Sequence, residues 1–434
     1  MYRKTVLLLG VFFCSALLNA QGYRNVDLLL NSTDGVYEAG DTVRVYAEVS
    51  SGVADRLRFI VEENEVHKVL DKEICLPAGR HVIFEEIVRR PSHLIFSISP
   101  SDAPKDCTRA GIIVSPERMK PGYRAPRNLE KFWESQVARM RECVPEVRLT
   151  PVQSAHGCKC WSVRITMHEG NPVYGYLAIP EEVSHKLPII MYAHQAGVKY
   201  DFNRASASGA IANARRGSGA IAFDMNVHGI PDDMPQSYYD SLDTGPLRLY
   251  HSRDITGHEE FYYRLAYLRL VRALDYLCTY PEWDGCRVLV HGASQGAAQA
   301  GALAGIDARV TAAVLQVPAL TDIGGTLDNG RKGGWPSGYA AKAIEYREIL
   351  PYYDVALLLE LSSAKLFFEA GLVDESCPPS CVSAAYNNAA SQDKTIVYCP
   401  YRPHGSKGTD FRHYEDWRRD VMTVREKFID DYLR

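Results

Sequence analysis

Between an apolar run, Arg287-Val288-Leu289-Val290, and a stretch of small residues, Ala297-Ala298-Gln299-Ala300-Gly301-Ala302, the chain reads Gly292-Ala293-Ser294-Gln295-Gly296. A strand that passes directly into a helix around a single serine leaves little choice of fold. The serine must take a strained backbone conformation that exposes its hydroxyl. The flanking glycines are required because side chains there would collide with the adjacent strand and helix. Glycine-serine turns are common, so the motif alone says little. Its place between a buried strand and a closely packing helix predicts a nucleophile elbow.

The surrounding pattern agrees. A helix over Leu129 to Arg141 is followed by Val163-Arg164-Ile165 and Val173 to Ile179, an antiparallel start. Continuous apolar strands are expected at Leu187 to Tyr192, Ala220 to Asp224, Arg287 to Val290, Ala312 to Leu315, Lys365 to Glu369 and Thr395 to Tyr398. A long helix is expected over Glu259 to Tyr280 and a further helix near Cys381 to Ala390. Apolar strands alternating with helices predict a doubly wound, mostly parallel sheet with both faces covered.

Residues 26–115 read differently. Turn signals such as Asp34-Gly35, Ser51-Gly52 and Pro77-Ala78-Gly79 separate short runs, clearest in Thr42-Val43-Arg44-Val45-Tyr46-Ala47-Glu48-Val49. Apolar-polar alternation predicts strands with one buried face, hence a small all-β sandwich ahead of the α/β domain. A linker with Pro116, Pro121 and Pro126 separates the two, giving expected domains at 21–115 and 116–434. The β region carries no cluster of reactive groups, so a chain cut near Arg118 is expected to keep the chemistry. At the N-terminus, Arg3 and Lys4 precede an apolar run from Val6 to Leu18 and the small Ala20. The run is too short to span a bilayer, and residues 1–20 are expected to be a secretory signal, with the mature chain periplasmic or extracellular and without a membrane span.

A net charge of -4 over 434 residues gives no electrostatic reason to expect nucleic acid or an anionic membrane as partner. Of 11 cysteines, Cys14 falls in the expected signal, and the rest meet a compartment that permits disulfides. Cys158 and Cys160 would share one face of a strand. With no second pair nearby they do not read as a zinc site, and no metal or cofactor is expected.

A serine hydroxyl needs a base to accept its proton and a carboxylate to orient that base. On an α/β-hydrolase sheet these follow the serine as an acid and then a histidine, each after a later strand. Asp374 follows the strand ending at Glu369 through Ala370-Gly371-Leu372-Val373, and His404 follows the strand ending at Tyr398. Asp322 competes as a loop carboxylate. Asp410 and His413 read as surface residues, and His291 as a hydrogen-bonded core histidine. An oxyanion needs two donors: the N–H of Gln295 is one, and the loop His194-Gln195-Ala196-Gly197 offers the other.

At these residues the chain resembles the acetyl xylan esterase and cephalosporin C deacetylase family, carbohydrate esterase family seven. The likeness runs from about Arg127 to the C-terminus, over Asn128-Leu129-Glu130-Lys131-Phe132-Trp133, Phe261-Tyr262-Tyr263-Arg264 with Arg272-Ala273-Leu274-Asp275, the elbow, Val317-Pro318-Ala319-Leu320, and Gly371-Leu372-Val373-Asp374 with Cys377-Pro378-Pro379-Ser380. The resemblance implies a serine esterase that removes acetyl groups from acetylated carbohydrate, with Ser294, Asp374 and His404 as triad and the N–H groups of Gln295 and Gln195 as oxyanion donors. The chain departs from the family at Asn226-Val227-His228-Gly229, where an Arg-Gly-Gln signature is usual, at His404-Gly405, where His-Glu is usual, and at Ala293 and Ala297, where glycine is usual. The alternatives are an esterase for bulkier acyl groups, a peptidase on the same fold, and an inactive scaffold. Single-domain members form a multimeric ring, and the added β domain leaves a homo-oligomer open here.

Overall fold

The computed structural model describes residues 25–50, 56–327, 330–405 and 413–434. The expected signal at 1–20 lies outside them. Eight strands lead the chain: β1 (Val26–Leu30), β2 (Val36–Tyr37), β3 (Thr42–Val49), β4 (Leu57–Glu63), β5 (His67–Ile74), β6 (Gly79–Ile87), β7 (Ser92–Pro100) and β8 (Thr108–Val114). They form a three-stranded sheet, β1-β3-β6, and a five-stranded sheet, β2-β8-β7-β4-β5. Alternation along β3 buries Val43, Val45, Ala47 and Val49, and β4 buries Leu57, Phe59 and Val61. Both sheets feed one core, with Phe96 against Phe84 and Phe59, so the two faces close as a sandwich.

The second unit is a nine-stranded sheet from β9 (Val147–Ala155), β10 (Cys158–Ile165), β11 (Val173–Pro180), β12 (Leu187–Ala193), β13 (Ile221–Asn226), β14 (Trp283–Ala293), β15 (Ala312–Gln316), β16 (Lys365–Gly371) and β17 (Lys394–Cys399). Its order is β17-β16-β15-β14-β12-β13-β11-β10-β9, parallel from β13 to β17 and antiparallel at the β9–β11 end. Successive residues of β12 serve opposite faces. Ile189 and Met191 join a core with helices Tyr262–Leu277 and Gln295–Ile306, while Ile190 joins another with helices Ala207–Ala214 and Thr423–Tyr432. Covering both faces explains why these strands read as unbroken apolar runs.

Strand β12 has β13 on one side and β14 on the other, which makes its carboxyl end a topological switch point. The loops after β12 and β14 therefore open on one crevice. β9 carries no strand signal in the sequence: its residues are largely exposed, Pro151 lies within it, and it forms the edge of the sheet, where proline is tolerated and apolar patterning is not required. The helix expected near Cys381 to Ala390 runs over Pro379–Asn388, with proline opening its first turn. Ten cysteines, all unpaired, lie among the described residues, and Cys158 and Cys160 both face the core beside Ala210. No helix among the described residues is long and apolar enough to cross a membrane.

Candidate active site

Ser294 closes β14 with φ 56° and ψ −122°, a conformation that L-residues avoid. The surroundings hold it there. Its N–H donates to Gln316 O at 2.9 Å and its carbonyl accepts from Ala319 N at 3.1 Å, so the neighbouring strand clamps the turn on both sides. A Cβ on Gly292 would lie 2.6 Å from Ala193 O, and one on Gly296 2.0 Å from the same oxygen. Both glycines are therefore demanded by the approach of β12.

The loop after β16 carries Asp374 and the loop after β17 carries His404. Backbone bonds join them: Leu372 N donates to Cys399 O at 2.9 Å and Val373 N to Arg402 O at 3.3 Å. Asp374 is fully buried. Its Oδ1 accepts from Ser376 N at 2.9 Å and Cys377 N at 2.8 Å, and its Oδ2 lies 2.8 Å from His404 Nδ1. His404 Nε2 lies 2.9 Å from Ser294 Oγ, and the imidazole keeps 30% of its surface exposed. With Nδ1–H donated to the carboxylate, Nε2 is left as the acceptor facing the serine hydroxyl.

A cluster that the sequence did not announce supports the His404 loop. Buried Glu369 pairs with Arg402 and Arg425, each at 2.8 Å, and accepts from Trp417 Nε1 at 2.5 Å. Burial alone would raise the Glu369 pKa, but the two guanidiniums and the indole hold it below its usual value. Arg402 lies two residues before His404, and that spacing was the available signal.

The side expected to receive the oxyanion is also braced. Gln295 opens its helix, so its N–H belongs to the first turn that the helical ladder leaves unpaired. Its side-chain Oε1 accepts from Tyr250 OH at 2.5 Å and Tyr263 OH at 3.1 Å, while Tyr250 OH accepts from Gly197 N at 3.2 Å. One hydroxyl thus ties the Gln195 loop to the Gln295 turn. Tyr250→Phe is expected to slow turnover roughly tenfold in kcat, less than the 10²–10³ lost with an oxyanion donor itself. Steady-state rates on an aryl acetate would check this. His194 pairs with buried Asp224 through Nε2 and meets Phe202 O through Nδ1 at 3.1 Å, fastening the start of the loop.

The segment that departs from the family signature has a place in this bracing. Asn226 Nδ2 donates to Asp232 Oδ1 at 2.6 Å. His228 Nδ1 accepts from Tyr262 OH at 2.5 Å and its ring packs edge-on to Tyr250. Burial pushes the His228 pKa down to about 3, so the ring is neutral and able to accept.

A cavity of about 520 Å³ opens beside the loop, lined by Ala196, Gly197, Leu249, Tyr250, His251 and Trp335 among others. Trp335 is tied to the elbow region, since its carbonyl accepts from Leu320 N at 2.7 Å.

The competing groups lie elsewhere. Asp322 is buried against Arg331 at 2.8 Å and Gly122 N at 2.7 Å. His413 meets Asp27 at 3.3 Å and Asp416 at 3.2 Å, and Asp410 lies outside the described residues. His291 is buried as expected, but its Nε2 has no hydrogen-bond partner among the described residues, and burial pushes its pKa down to about 3. It packs on the Tyr192 ring at 4.8 Å instead of joining a polar network.

The family model for acetyl xylan esterase (AXE1) matches residues 117–331 and 338–418. An acetyl esterase of Xylanibacter ruminicola, Axe7A, is 27% identical over 379 residues, covering 85% of this chain and 84% of that protein. Among solved structures, an acetyl xylan esterase from Paenibacillus sp. R4 superposes with a TM-score of 0.58 at 24% identity, over 73% of this chain and 98% of that one. Acetyl xylan esterase 1 from Thermoanaerobacterium sp. JW/SL YS485 gives 0.56 at 20%, over 74% and 98%. The two structural likenesses speak to the fold. With the family model matched over most of its length, this chain belongs to the acetyl xylan esterase family, carboxylic ester hydrolases on an α/β-hydrolase sheet.

Proposed function

We propose that Ser294 is the nucleophile of an acetyl-transfer cycle on acetylated carbohydrate, with His404 as its base and Asp374 as the orienting carboxylate. The observation that carries this is the unbroken run from Ser294 Oγ through His404 to Asp374, at 2.9 and 2.8 Å. Ser294 Oγ adds to the acetyl carbonyl while His404 Nε2 takes its proton. The N–H groups of Gln295 and Gln195 receive the developing oxyanion. The ester C–O bond then breaks, and His404 returns the proton to the departing sugar hydroxyl. Water, deprotonated by the same imidazole, adds to the acetyl-enzyme, and acetate leaves as Ser294 regains its proton. Acetate release should be measured across acetylated xylo-oligosaccharides, longer acyl esters and peptide amides. Faster turnover of the longer esters or the amides would overturn the reading.

The carbohydrate side has its own support. Tyr200 and Phe202 are 57% and 42% exposed, with ring centroids 5.3 Å apart and planes within 14°. They are held to the oxyanion loop by His194 on Phe202 O and by Asn203 Nδ2 on Ala196 O at 2.6 Å. Flat apolar faces on the segment that follows β12 suit the apolar face of a sugar ring. At about 0.5–1.5 kcal/mol for each aromatic contact, replacing both by alanine should raise KM for an acetylated oligosaccharide roughly tenfold. KM for a small aryl acetate should stay unchanged, and steady-state kinetics on both substrates check the split.

The same reading takes residues 1–20 as an export signal, 21–115 as the accessory β domain and 116–434 as the catalytic domain. A polymer such as xylan is met outside the cytoplasm, which is where such a signal would send the enzyme.

A further inference from the structure

The β sandwich touches the catalytic unit where the triad loops lie. His93, fully buried on β7, donates Nε2–H to Leu372 O at 2.8 Å, two residues before Asp374. Burial pushes the His93 pKa down to about 4 against the pull of that carbonyl, so the ring is neutral with its proton on Nε2. Gly111 on β8 donates its N–H to Pro400 O at 2.8 Å, four residues before His404. A Cβ on Gly111 would lie 1.8 Å from Leu372 O.

Other contacts converge on the same segments. Leu372 packs with Ile113, Met119 and Ala384, and Tyr401 packs on the sandwich core. Arg109 of β8 forms an ion pair with Glu375, the residue after Asp374. The β4–β5 turn, where Asn64 and Glu65 take φ of 54° and 59°, presents Glu65 to Lys332 at 3.0 Å, and Lys332 Nζ also donates to Glu375 O. One rigid surface thus meets the Asp374 loop on both sides of the carboxylate and the His404 loop on its approach.

We infer that one face of the β sandwich positions the triad, with His93 and Gly111 as positioning residues that fix the Asp374 and His404 loops relative to Ser294. The inference rests on the triad reading above. It runs against the expectation that the chain from Arg118 onward keeps the chemistry unaided. The sandwich supplies no reacting group, which is why its sequence carries no reactive cluster. It supplies the surface against which two loops acquire one geometry. Misplacement of a catalytic group by about 1 Å can cost about 10²-fold in rate, so modest loop drift matters.

The test uses the full chain. His93→Ala removes the donor to Leu372, His93→Gln offers an amide donor in its place, and Arg109→Gln releases Glu375 at an exposed ion pair. Val45→Ala, on β3 in the other sheet of the sandwich, opens a cavity in its core while leaving His93, Gly111 and Arg109 in place and serves as the stability control. For each we would measure kcat and KM on an aryl acetate, the rate at which a fluorophosphonate labels Ser294, and the melting temperature. His93→Ala should lower kcat and the labelling rate by about tenfold or more, with KM nearly unchanged. His93→Gln should recover most of that, and Arg109→Gln should show a smaller fall in the same direction. Val45→Ala should lower the melting temperature and leave kcat alone. Wild-type kcat in both His93→Ala and Arg109→Gln overturns the inference, as does a fall in Val45→Ala equal to that in His93→Ala. If His93→Ala does not fold, Arg109→Gln against Val45→Ala decides. Failure of Ser294 to label in the wild type would instead bring down the triad reading.

Discussion

Ser294→Ala is expected to reduce turnover by about 10⁶-fold, the loss seen when the nucleophile of such a triad is removed, while the chain stays folded. The hydroxyl has His404 as its hydrogen-bond partner, and the side chain is otherwise a β-carbon that alanine reproduces. The strained φ of 56° is held by the Ser294 N–H donating to Gln316 O and by Ala319 N–H donating to the Ser294 carbonyl, and these bonds survive the substitution. Acetate release falling to the background rate, beside an unchanged melting curve, would meet the expectation.

Asp374→Asn should lower turnover by about 10⁴-fold, as the equivalent change does in serine proteases. The asparagine oxygen can still accept from Ser376 N and Cys377 N, so the loop should hold. Its Nδ2 would then face His404 Nδ1 and donate to it. That places the imidazole proton on Nε2, pointing at Ser294, where it cannot accept the serine proton. Because triad members act as a unit, adding Asp374→Asn to His404→Ala should cost little beyond His404→Ala alone. Asp322→Asn should behave oppositely. It leaves the buried Arg331 without its carboxylate, a loss of about 3–5 kcal/mol of stability, yet well below the melting point kcat should stay near normal. Kinetics and melting curves of these variants on one substrate check all three. Near-normal turnover in Asp374→Asn beside a collapse in Asp322→Asn would move the orienting carboxylate to the earlier loop.

The parts of the site visible in the sequence are those that local chemistry dictates. The glycines around Ser294 are forced by the carbonyl of Ala193, and a strand passing into a helix shows that need in its own residues. Asp374 and His404 were legible because parallel strands deliver their following loops to one edge, so strand order and strand ends sufficed. The braces were not legible. His93 meets Leu372 across 279 residues of chain, and Glu369 meets Arg425 across 56. Nothing in the neighbourhood of either partner marks the pairing. Tyr250 sits in a segment without regular period, and its role appears only once Gly197 and Gln295 lie on either side of its hydroxyl. The edge strand β9 escaped for a related reason, since a largely exposed strand need not alternate.

The central claim, that Ser294 is the group that becomes acylated, is tested most directly by labelling the full-length enzyme with a serine-reactive fluorophosphonate and locating the adduct by mass spectrometry. One adduct per chain on Ser294, forming in step with the loss of aryl-acetate hydrolysis and absent from Ser294→Ala, is the expected result. Inactivation with the adduct on another residue, Ser294 remaining unmodified, would contradict it.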